Sequence, residues 1–315
     1  MLPPNPTTAP RGGGVWREDV ALERIAALLG SRSTDPAGGA WGDDAAVLPR
    51  PDGRLVVCTD AAVAGVHLDT AVFPIGDLGY RAAIASLSDL AAVGARPLGV
   101  VVAVLAPAEV DVVEVERHVV AACATAGCEV VGGDLSRSAT ATVVATAVGV
   151  EGAGGSVLRQ GARPGDAVLV TGALGGSAAG LRRGREGAAL DDDLVLRHRR
   201  PAARLAEGEA AAICGATAML DVSDGLARDV RRLARASGVG ISLELVPVED
   251  GATLDEALGG GEDYELVFTH PDADAAVEAF ARARLRRPVR VGEVVEDATV
   301  LTLGGEPLAD VGWRH

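Results

Sequence analysis

The chain contains 315 residues, of which 48% are hydrophobic, which allows one large or two ordinary domains with a sizeable core and excludes a disordered chain. Its formal net charge of -15 disfavours nucleic acid and anionic membranes as partners. All 29 basic residues are arginine, so Schiff-base catalysis, the P-loop lysine and the protein-kinase lysine are excluded.

The first 14 residues are rich in Pro, Thr and Gly, and we predict a disordered tail over residues 1–14. This segment lacks the apolar run of a signal peptide, and no stretch approaches the roughly 18 apolar residues of a membrane span. The four cysteines are scattered and form no CxxC pair, which is unlike a disulfide framework or a zinc site. These features predict a cytoplasmic protein with reduced thiols.

Hydrophobic periodicity predicts a mixture of helices and strands in the first half of the chain. The predicted helices cover residues 17–29, 77–93 and 109–126, with Asp77 as the N-cap of the second. The predicted strands cover residues 55–58, 98–105, 129–131 and 140–150. The Gly-rich stretch 151–156 follows, and we interpret it as a linker between two domains.

The second half of the chain contains a similar mixture of predicted elements. Its helices cover residues 177–183, 201–213, 226–237 and 275–283, and its strands cover residues 167–170, 241–245, 264–268 and 289–294. Because helices and strands do not alternate strictly, we expect mixed sheets rather than a doubly wound parallel sheet. The sequence therefore predicts an α/β protein of the α+β type with two mixed-sheet domains, over residues 15–153 and 154–315.

Acidic residues recur beside Gly, Ser or Thr at the edges of the predicted apolar elements. They fall in Gly42-Asp43-Asp44, Thr59-Asp60, Ser88-Asp89, Gly133-Asp134, Asp221-Val222-Ser223-Asp224 and Glu262-Asp263. Each of them alone is explained by a turn or a helix cap. Together they exceed what capping requires, and converging carboxylates suit hard divalent cations that bridge to substrate phosphates. The sequence therefore indicates a metal-dependent site for a phosphorylated substrate.

The glycine-rich segment 171–177, TGALGGS, follows a predicted strand and precedes a predicted helix. This is the context of a loop that cradles phosphate, and a tight strand-to-helix turn is the alternative interpretation. The segment is no Walker A motif, because that motif requires lysine.

Several blocks of the sequence resemble those of the thiamine-monophosphate kinases, members of an ATP-binding superfamily that includes aminoimidazole ribonucleotide synthetase. The blocks are WGDDAAVL (41–48), CTDAAVAGVHLD (58–69), SLSDLAAVGARP (86–97), VVGGDLSRS (130–138), LRQGARPGDAVLVTGALGGSAAGL (158–181), RHRRP (197–201), LDVSDGLARDV (220–230) and GGGEDYELVF (259–268). The resemblance implies a two-domain α/β fold whose amino-terminal domain binds ATP and metal and forms a homodimer.

The resemblance also implies the functional residues. The metal-binding positions would be Asp44, Cys58, Thr59, Asp60, Asp89, Asp134, Asp221 and Asp224, with Asp224 the most critical. The ATP contacts would be Gly133, Arg159 and Ser223. The contacts to thiamine monophosphate would be His67, Glu262 and Trp313. Several Mg2+ ions and ATP as the second substrate are implied with them, and Cys58 stands where Ser is usual in the family.

The implied reaction is transfer of the ATP γ-phosphoryl group to thiamine monophosphate. A phosphate monoester is already mostly ionised at pH 7 and needs no general base, whereas the repulsion between two anions must be relieved by metal ions. Two alternatives remain at this point. One is another ATP-dependent enzyme of the superfamily that phosphorylates an amide or carbamoyl substrate, and the other is a non-catalytic protein that binds divalent cations.

Overall fold

The computed structural model describes residues 16–29, 45–48 and 50–313. The predicted tail over residues 1–14 and the predicted metal ligand Asp44 lie outside the described residues, as does the first half (41–44) of the WGDDAAVL block. The predictions made for these positions stay predictions.

The amino-terminal half forms a four-stranded mixed sheet. Its strands are β1 (Leu55–Val63), β2 (Ala95–Ala106), β3 (Val130–Arg137) and β4 (Thr142–Glu151). The strand order is β1-β4-β2-β3, in which β4 is antiparallel to both neighbours and β2 is parallel to β3. The helices of this half are α1 (Glu18–Leu29), α2 (Gly76–Ala92) and α3 (Val112–Thr125).

Alternation of side chains gives this sheet one buried and one exposed face. Val100, Val102 and Val104 of β2 are buried in a core that also contains the apolar side chains of α2 and α3. On the opposite face, Leu55 and Val57 of β1 are 66% and 69% exposed. Helix α2 is buried along almost its whole length, because it packs on the sheet, on α3 and on the second half of the chain.

The carboxy-terminal half forms a seven-stranded mixed sheet of order β11-β10-β7-β9-β5-β8-β6. Its strands are β5 (Ala167–Val170), β6 (Ala218–Asp221), β7 (Gly240–Leu243), β8 (Leu266–His270), β9 (Val289–Val295), β10 (Leu301–Leu303) and β11 (Glu306–Pro307). Its helices are α4 (Gly176–Arg185), α5 (Asp193–Arg199), α6 (Leu205–Cys214), α7 (Leu226–Ser237), α8 (Leu254–Gly259) and α9 (Ala273–Arg282). The prediction of an α+β protein with mixed sheets is confirmed.

The first sheet ends at Glu151 and the second begins at Ala167, on either side of the predicted domain boundary at residues 153/154, which stays a prediction. Nowhere in the described part of the chain does a helix combine the length and the apolar character needed to cross a membrane.

Several predicted element boundaries are wrong. Strand β1 continues to Val63 and β3 to Arg137, so Asp60 and Asp134 lie inside strands rather than at their ends. The N-cap of α2 is Ile75, and Asp77 lies within the first turn of the helix. The prediction that a strand begins at Tyr264 is also wrong. Tyr264 has a φ of 53° and precedes β8, because left-handed backbone is incompatible with a strand.

Candidate active site

A cavity of about 720 Å³ opens between the two halves of the molecule. Its walls are formed by β1 and the loop after it, by α2, by the loop between β6 and α7, and by the segment that precedes β8. The predicted site residues that line it are Thr59, Asp60, His67, Asp89, Arg159, Asp221, Ser223, Asp224, Glu262 and Trp313. The fold therefore brings together residues that are more than 250 positions apart in the sequence.

Asp60 of β1, Asp89 of α2 and Asp221 of β6 form a group of mutually repelling carboxylates. The carboxyl groups of Asp60 and Asp89 share a hydrogen bond. Burial, followed by repulsion from Asp221 and Asp60, raises the pKa of Asp89 to about 7. Burial raises the pKa of Asp221 to about 6, even though Ser88 Oγ donates a hydrogen bond of 2.7 Å to its Oδ2. Such a group favours an added cation, which would relieve the repulsion.

Asp224 differs from this group because arginine side chains neutralise it. Arg232 and Arg228 of α7 form ion pairs with Asp224 Oδ2, the second of them at 3.4 Å. The carboxylate of Asp229, also on α7, accepts hydrogen bonds from the backbone N–H groups of Ser223 and Asp224 at 3.1 and 3.0 Å. Helix α7 therefore fixes the loop that carries Ser223 and Asp224 into the cavity wall.

Of the predicted site residues that the structure describes, Cys58, Gly133 and Asp134 do not line this cavity. Gly133 and Asp134 belong to β3, at the opposite edge of the sheet from β1. The strand pairing places Gly133 in the same row as Asp60, three strands away, which corresponds to about 14 Å at about 4.8 Å per strand. Gly133 also has a packing role, because a Cβ atom there would lie 2.1 Å from the carbonyl oxygen of Val102.

Cys58 and Thr59 precede Asp60 on β1, and their side chains point to opposite faces of the sheet. The Cys58 thiol points inward, with Sγ 3.0 Å from the carbonyl oxygen of Ser86. Burial raises the pKa of Cys58 to about 12, so its side chain stays a thiol rather than a thiolate ligand. Thr59 Oγ1 donates to the carbonyl oxygen of Ala145 at 3.2 Å.

The three residues predicted to contact the acceptor all line the cavity. His67 Nδ1 accepts a hydrogen bond of 3.0 Å from the N–H of Val63, so the neutral ring carries its proton on Nε2. Glu262 adopts a φ of 58°, which is uncommon for a residue with a side chain. The backbone N–H of Trp313 donates to the carbonyl oxygen of Asp224 at 3.0 Å, and the residue is 45% exposed, so it lies at the cavity rim rather than in the core.

The glycine-rich segment 171–177 forms a capped strand-to-helix turn. Asp263 accepts hydrogen bonds from the N–H groups of Gly175 and Ser177 at 2.7 and 3.0 Å. Because this carboxylate occupies N–H groups that a phosphate would need, the structure favours the tight turn over the phosphate-cradling loop.

Comparison with known proteins identifies the family. The family model for the N-terminal domain of AIR synthase related proteins matches residues 42–151 of this chain, and the model for their C-terminal domain matches residues 163–303. The thiamine-monophosphate kinase of Synechococcus elongatus is 38% identical over 281 residues, covering 82% of this chain and 85% of the relative. That of Halobacterium salinarum is 38% identical over 315 residues, covering 95% and 99%. The chain belongs to the thiamine-monophosphate kinase family.

Solved structures of thiamine-monophosphate kinases share this fold. The enzyme of Stenotrophomonas maltophilia K279a has a TM-score of 0.79 at 31% identity, covering 92% of this chain and 97% of that one. The complex of AaThiL with AMPPCP and TMP has a TM-score of 0.74 at 31% identity, covering 95% and 96%. The hydrogenase maturation protein HypE of E. coli, at 21% identity and a TM-score of 0.71, is similar in fold alone. The predicted family is therefore confirmed.

The carboxylates in the cavity of this thiamine-monophosphate kinase family member fit Mg2+ as oxygen ligands. Over the described ranges, no group of three His, Cys, Asp or Glu side chains is placed to hold a metal ion by itself. Mg2+ commonly uses only one or two carboxylates and completes its shell with water and substrate phosphates. The hydrogen-bonded pair of Asp60 and Asp89 offers this donor set, which suits an ion that binds together with a nucleotide.

Sequence reasoning missed a cluster of buried charges between α2 and α5. The buried carboxylate of Asp77 forms ion pairs with Arg199 at 2.6 Å, Arg200 at 2.8 Å and His118 at 3.3 Å. Burial acts to raise the pKa of Asp77, but the hydrogen bonds from His118 and Arg199 and the charge of Arg200 hold it below its usual range. Arg81, one turn later on α2, was missed as well. The sequence feature that could have revealed them is the occurrence of charged residues in a helix that is otherwise mostly apolar.

Proposed function

We propose that the chain transfers the γ-phosphoryl group of ATP to thiamine monophosphate with the assistance of Mg2+, forming thiamine diphosphate and ADP. The observation that carries this proposal is the single cavity in which the aspartate group, His67, Glu262 and Trp313 meet, in a member of the thiamine-monophosphate kinase family. The family relative AaThiL has been solved with AMPPCP and TMP, which supports ATP and thiamine monophosphate as the two substrates.

The residues proposed for each role extend the predictions made from the sequence. The proposed metal-binding residues are Asp44, Cys58 (through its backbone carbonyl oxygen), Thr59, Asp60, Asp89, Asp134, Asp221 and Asp224. The proposed ATP contacts are Gly133, Arg159 and Ser223, and the proposed acceptor contacts are His67, Glu262 and Trp313. Bound Mg2+ would neutralise phosphate charge and hold the two anions in line for transfer.

The residues of the chain supply binding and orientation rather than a proton acceptor. The attacking oxygen belongs to a phosphate that is mostly ionised at pH 7, since its second pKa is about 6. Arg159 provides a fixed positive charge beside the carboxylates, and this charge acts on both Asp89 and Asp221. Ser223 is held by the hydrogen bond of its N–H to Asp229. These rigid contacts favour a single orientation of the two phosphates.

We further propose that the chain works as a homodimer through its amino-terminal sheet. The face of this sheet that carries Leu55, Val57 and Val101 exposes apolar side chains, which is typical of an interface. Opposed sheets would allow Gly133 and Asp134 of one copy to reach the cavity of the other. This arrangement would reconcile their predicted roles with their distance from Asp60. The four free cysteines support a cytoplasmic location.

The activity is tested by offering the purified chain ATP and Mg2+ with one acceptor at a time. Thiamine monophosphate, free thiamine and aminoimidazole ribonucleotide precursors are compared, and product masses are measured. We expect a diphosphate product from thiamine monophosphate alone. Phosphorylation of free thiamine instead, or of another acceptor, would contradict the proposal.

The shared site is tested by mixing two inactive variants. Asp89→Asn and Asp134→Asn are each expected to be inactive, but a mixed dimer restores one complete site if the two residues belong to different copies. Free exchange of subunits then gives about a quarter of the wild-type activity, because half of the dimers are mixed and each has one intact site. A mixture that stays inactive after verified subunit exchange would exclude a site shared in this way.

A further inference from the structure

Arg81 of α2 is a buried cation in the cavity wall, only 2% exposed. Its Nε donates a hydrogen bond of 3.0 Å to the carbonyl oxygen of His67, and Nη1 donates to the carbonyl oxygen of His198. Its Nη2 forms an ion pair of 2.5 Å with Glu262 Oε2. Each nitrogen of the guanidinium group thus contacts a different segment of the chain, and two of these segments carry predicted acceptor contacts.

The surroundings of Arg81 direct its charge to Glu262. His198 is buried, its ring lies against Phe73, and burial followed by the charge of Arg81 lowers its pKa to about 2. The imidazole is therefore neutral and carries no charge that competes for the carboxylate. Asp77, one turn earlier on α2, is already paired with Arg199 and Arg200. Glu262 is thus the carboxylate in direct contact with the guanidinium of Arg81.

The backbone of Glu262 makes this contact more consequential. Gly261 and Glu262 both adopt left-handed conformations, with φ of 69° and 58°, and the second of these costs about 1 kcal/mol or more for a residue with a side chain. The N–H of Glu262 donates to the carbonyl oxygen of Ser223 at 2.8 Å. The backbone conformation therefore fixes the position of the Glu262 Cβ atom, and the ion pair with Arg81 fixes the position of the Glu262 carboxylate.

We infer that Arg81 is a positioning residue for the acceptor, because one guanidinium group holds the carboxylate of Glu262 and the His67 segment at a set separation across the two halves. The inference rests on the proposed function. Arg81 acts through these two residues rather than by touching the acceptor, since the protein itself occupies all three of its nitrogens. It is therefore expected to affect binding of thiamine monophosphate and not binding of ATP.

The test compares Arg81→Met and Arg81→Lys with the control Arg199→Met. Arg199 also joins α2 to α5 by an ion pair with Asp77, but it is not among the described residues that line the cavity. KM for each substrate, kcat and the melting temperature are measured for all variants. We expect Arg81→Met to raise KM for thiamine monophosphate at least tenfold with KM for ATP within twofold. Arg199→Met should lower the melting temperature and leave both KM values within twofold.

The lysine variant keeps the test informative if Arg81→Met fails to fold. Lysine retains the charge but has a single nitrogen, so it cannot reproduce three contacts in a fixed plane. We expect Arg81→Lys to raise KM for thiamine monophosphate about threefold, between wild type and Arg81→Met. Adding Arg81→Met to Glu262→Gln should change KM by less than threefold, because Arg81 acts largely through Glu262.

Two results would overturn the inference. One is an unchanged KM for thiamine monophosphate in the lysine variant and in any folded methionine variant. The other is a loss of affinity that is not specific: KM rises equally for ATP and thiamine monophosphate in the Arg81 variants, or KM for thiamine monophosphate rises as much in Arg199→Met. Either would show a general loss of structure. A wild-type chain without turnover on thiamine monophosphate contradicts the proposed function and the inference with it. A wild type with normal turnover whose Arg81 variants keep KM contradicts the inference alone.

Discussion

Helix α2 carries two aspartates whose surroundings are opposite. Asp77, in the first turn, meets Arg199, Arg200 and His118, and these partners hold its pKa below the usual range against burial. Asp89, near the last turn, is half-buried beside Asp60 and Asp221, and desolvation followed by the repulsion of these carboxylates raises its pKa to about 7. One carboxylate is neutralised by the protein, and the other is surrounded by like charge.

This difference separates a charge that the fold neutralises from one that is suited to a ligand. A carboxylate whose counter-charges are supplied by the fold contributes to holding the two halves together, and removing it leaves cations unpaired. A group of carboxylates without enough counter-charge destabilises the fold and is suited to a ligand that brings positive charge. Sequence alone gives the same residue type on the same helix, so only the tertiary contacts distinguish the two roles.

The largest effect is expected from Asp89→Asn. Losing a carboxylate that the proposed Mg2+ requires should lower kcat by roughly a thousandfold, while the melting temperature stays at or above that of wild type because repulsion is relieved. Asp224→Asn should fold, because Arg228 and Arg232 are 30% and 36% exposed and stay hydrated without their partner, and it should lose phosphoryl transfer at any Mg2+ concentration. Steady-state kinetics over a range of Mg2+ concentrations provide the measurement. Retained turnover in either variant would remove that residue from the metal site.

The opposite behaviour is expected from Asp77→Asn. Removing the carboxylate leaves Arg199 and Arg200 unpaired at a buried position, which should lower the free energy of unfolding by about 3–5 kcal/mol. Urea unfolding provides the measurement, with Glu278→Gln as the control, because Glu278 pairs with Arg282 on the exposed surface of α9. The control should change stability by less than about 1 kcal/mol. Equal effects in the two variants would show that the buried cluster does not stabilise the fold.

Glu116 of α3 separates the effect of burial from that of neighbouring charge. Burial alone raises its pKa from 4.5 to about 7. Because the folded-state pKa lies above the unfolded value, this group lowers stability progressively as pH rises from about 4.5 to about 7. Relative to wild type, Glu116→Gln should therefore have a free energy of unfolding that is higher at pH 8 than at pH 5 by roughly 2–3 kcal/mol. Urea unfolding at both pH values tests this, and a pH-independent difference would contradict it.

The smallest expected effect is stabilisation by ligand. Mg2+ together with AMPPCP should raise the melting temperature more than either alone, and at a hundred times Kd the stabilisation is about 2.7 kcal/mol. In Asp89→Asn the contribution of Mg2+ should disappear, whereas Asp77→Asn should keep it from a lower starting temperature. If Asp89→Asn responds to Mg2+ as wild type does, the distinction between the two aspartates is wrong.

Elements with strong local signals could be predicted from the sequence. Helix α7 and strand β5 have the predicted bounds, because the helix has an apolar stripe between Gly225 and Gly238, and the strand is a continuous apolar run. Helix α5 was missed because it is short and rich in charge, and β6 because its sequence AMLD contains no β-branched or aromatic residue. The sequence predicts Asp60 at the end of a strand because the apolar run stops before it. In the structure, the pairing of β1 with β4 continues past Asp60 to Val63.

The site could be predicted only in part, for a physical reason. Motif resemblance found the cavity-lining residues Asp60, Asp89 and Asp221, whereas their mutual repulsion depends on distances that no local pattern contains. Arg81 and Glu262 are 181 positions apart, and their ion pair exists only because α2 packs against the second half of the chain. The roles proposed for Gly133 and Asp134 require a second copy, which the sequence of one chain does not display.

The absence of lysine has a consequence for the junction between the two halves. Arg81 of α2 is a buried cation there, and although burial acts to lower the pKa of this guanidinium, the charge of Glu262 raises that pKa above its usual value. Lysine in the same position would begin to lose its charge near pH 10. The ion pair of Arg81 with Glu262 therefore persists at an alkaline pH at which a lysine in its place would already be discharging.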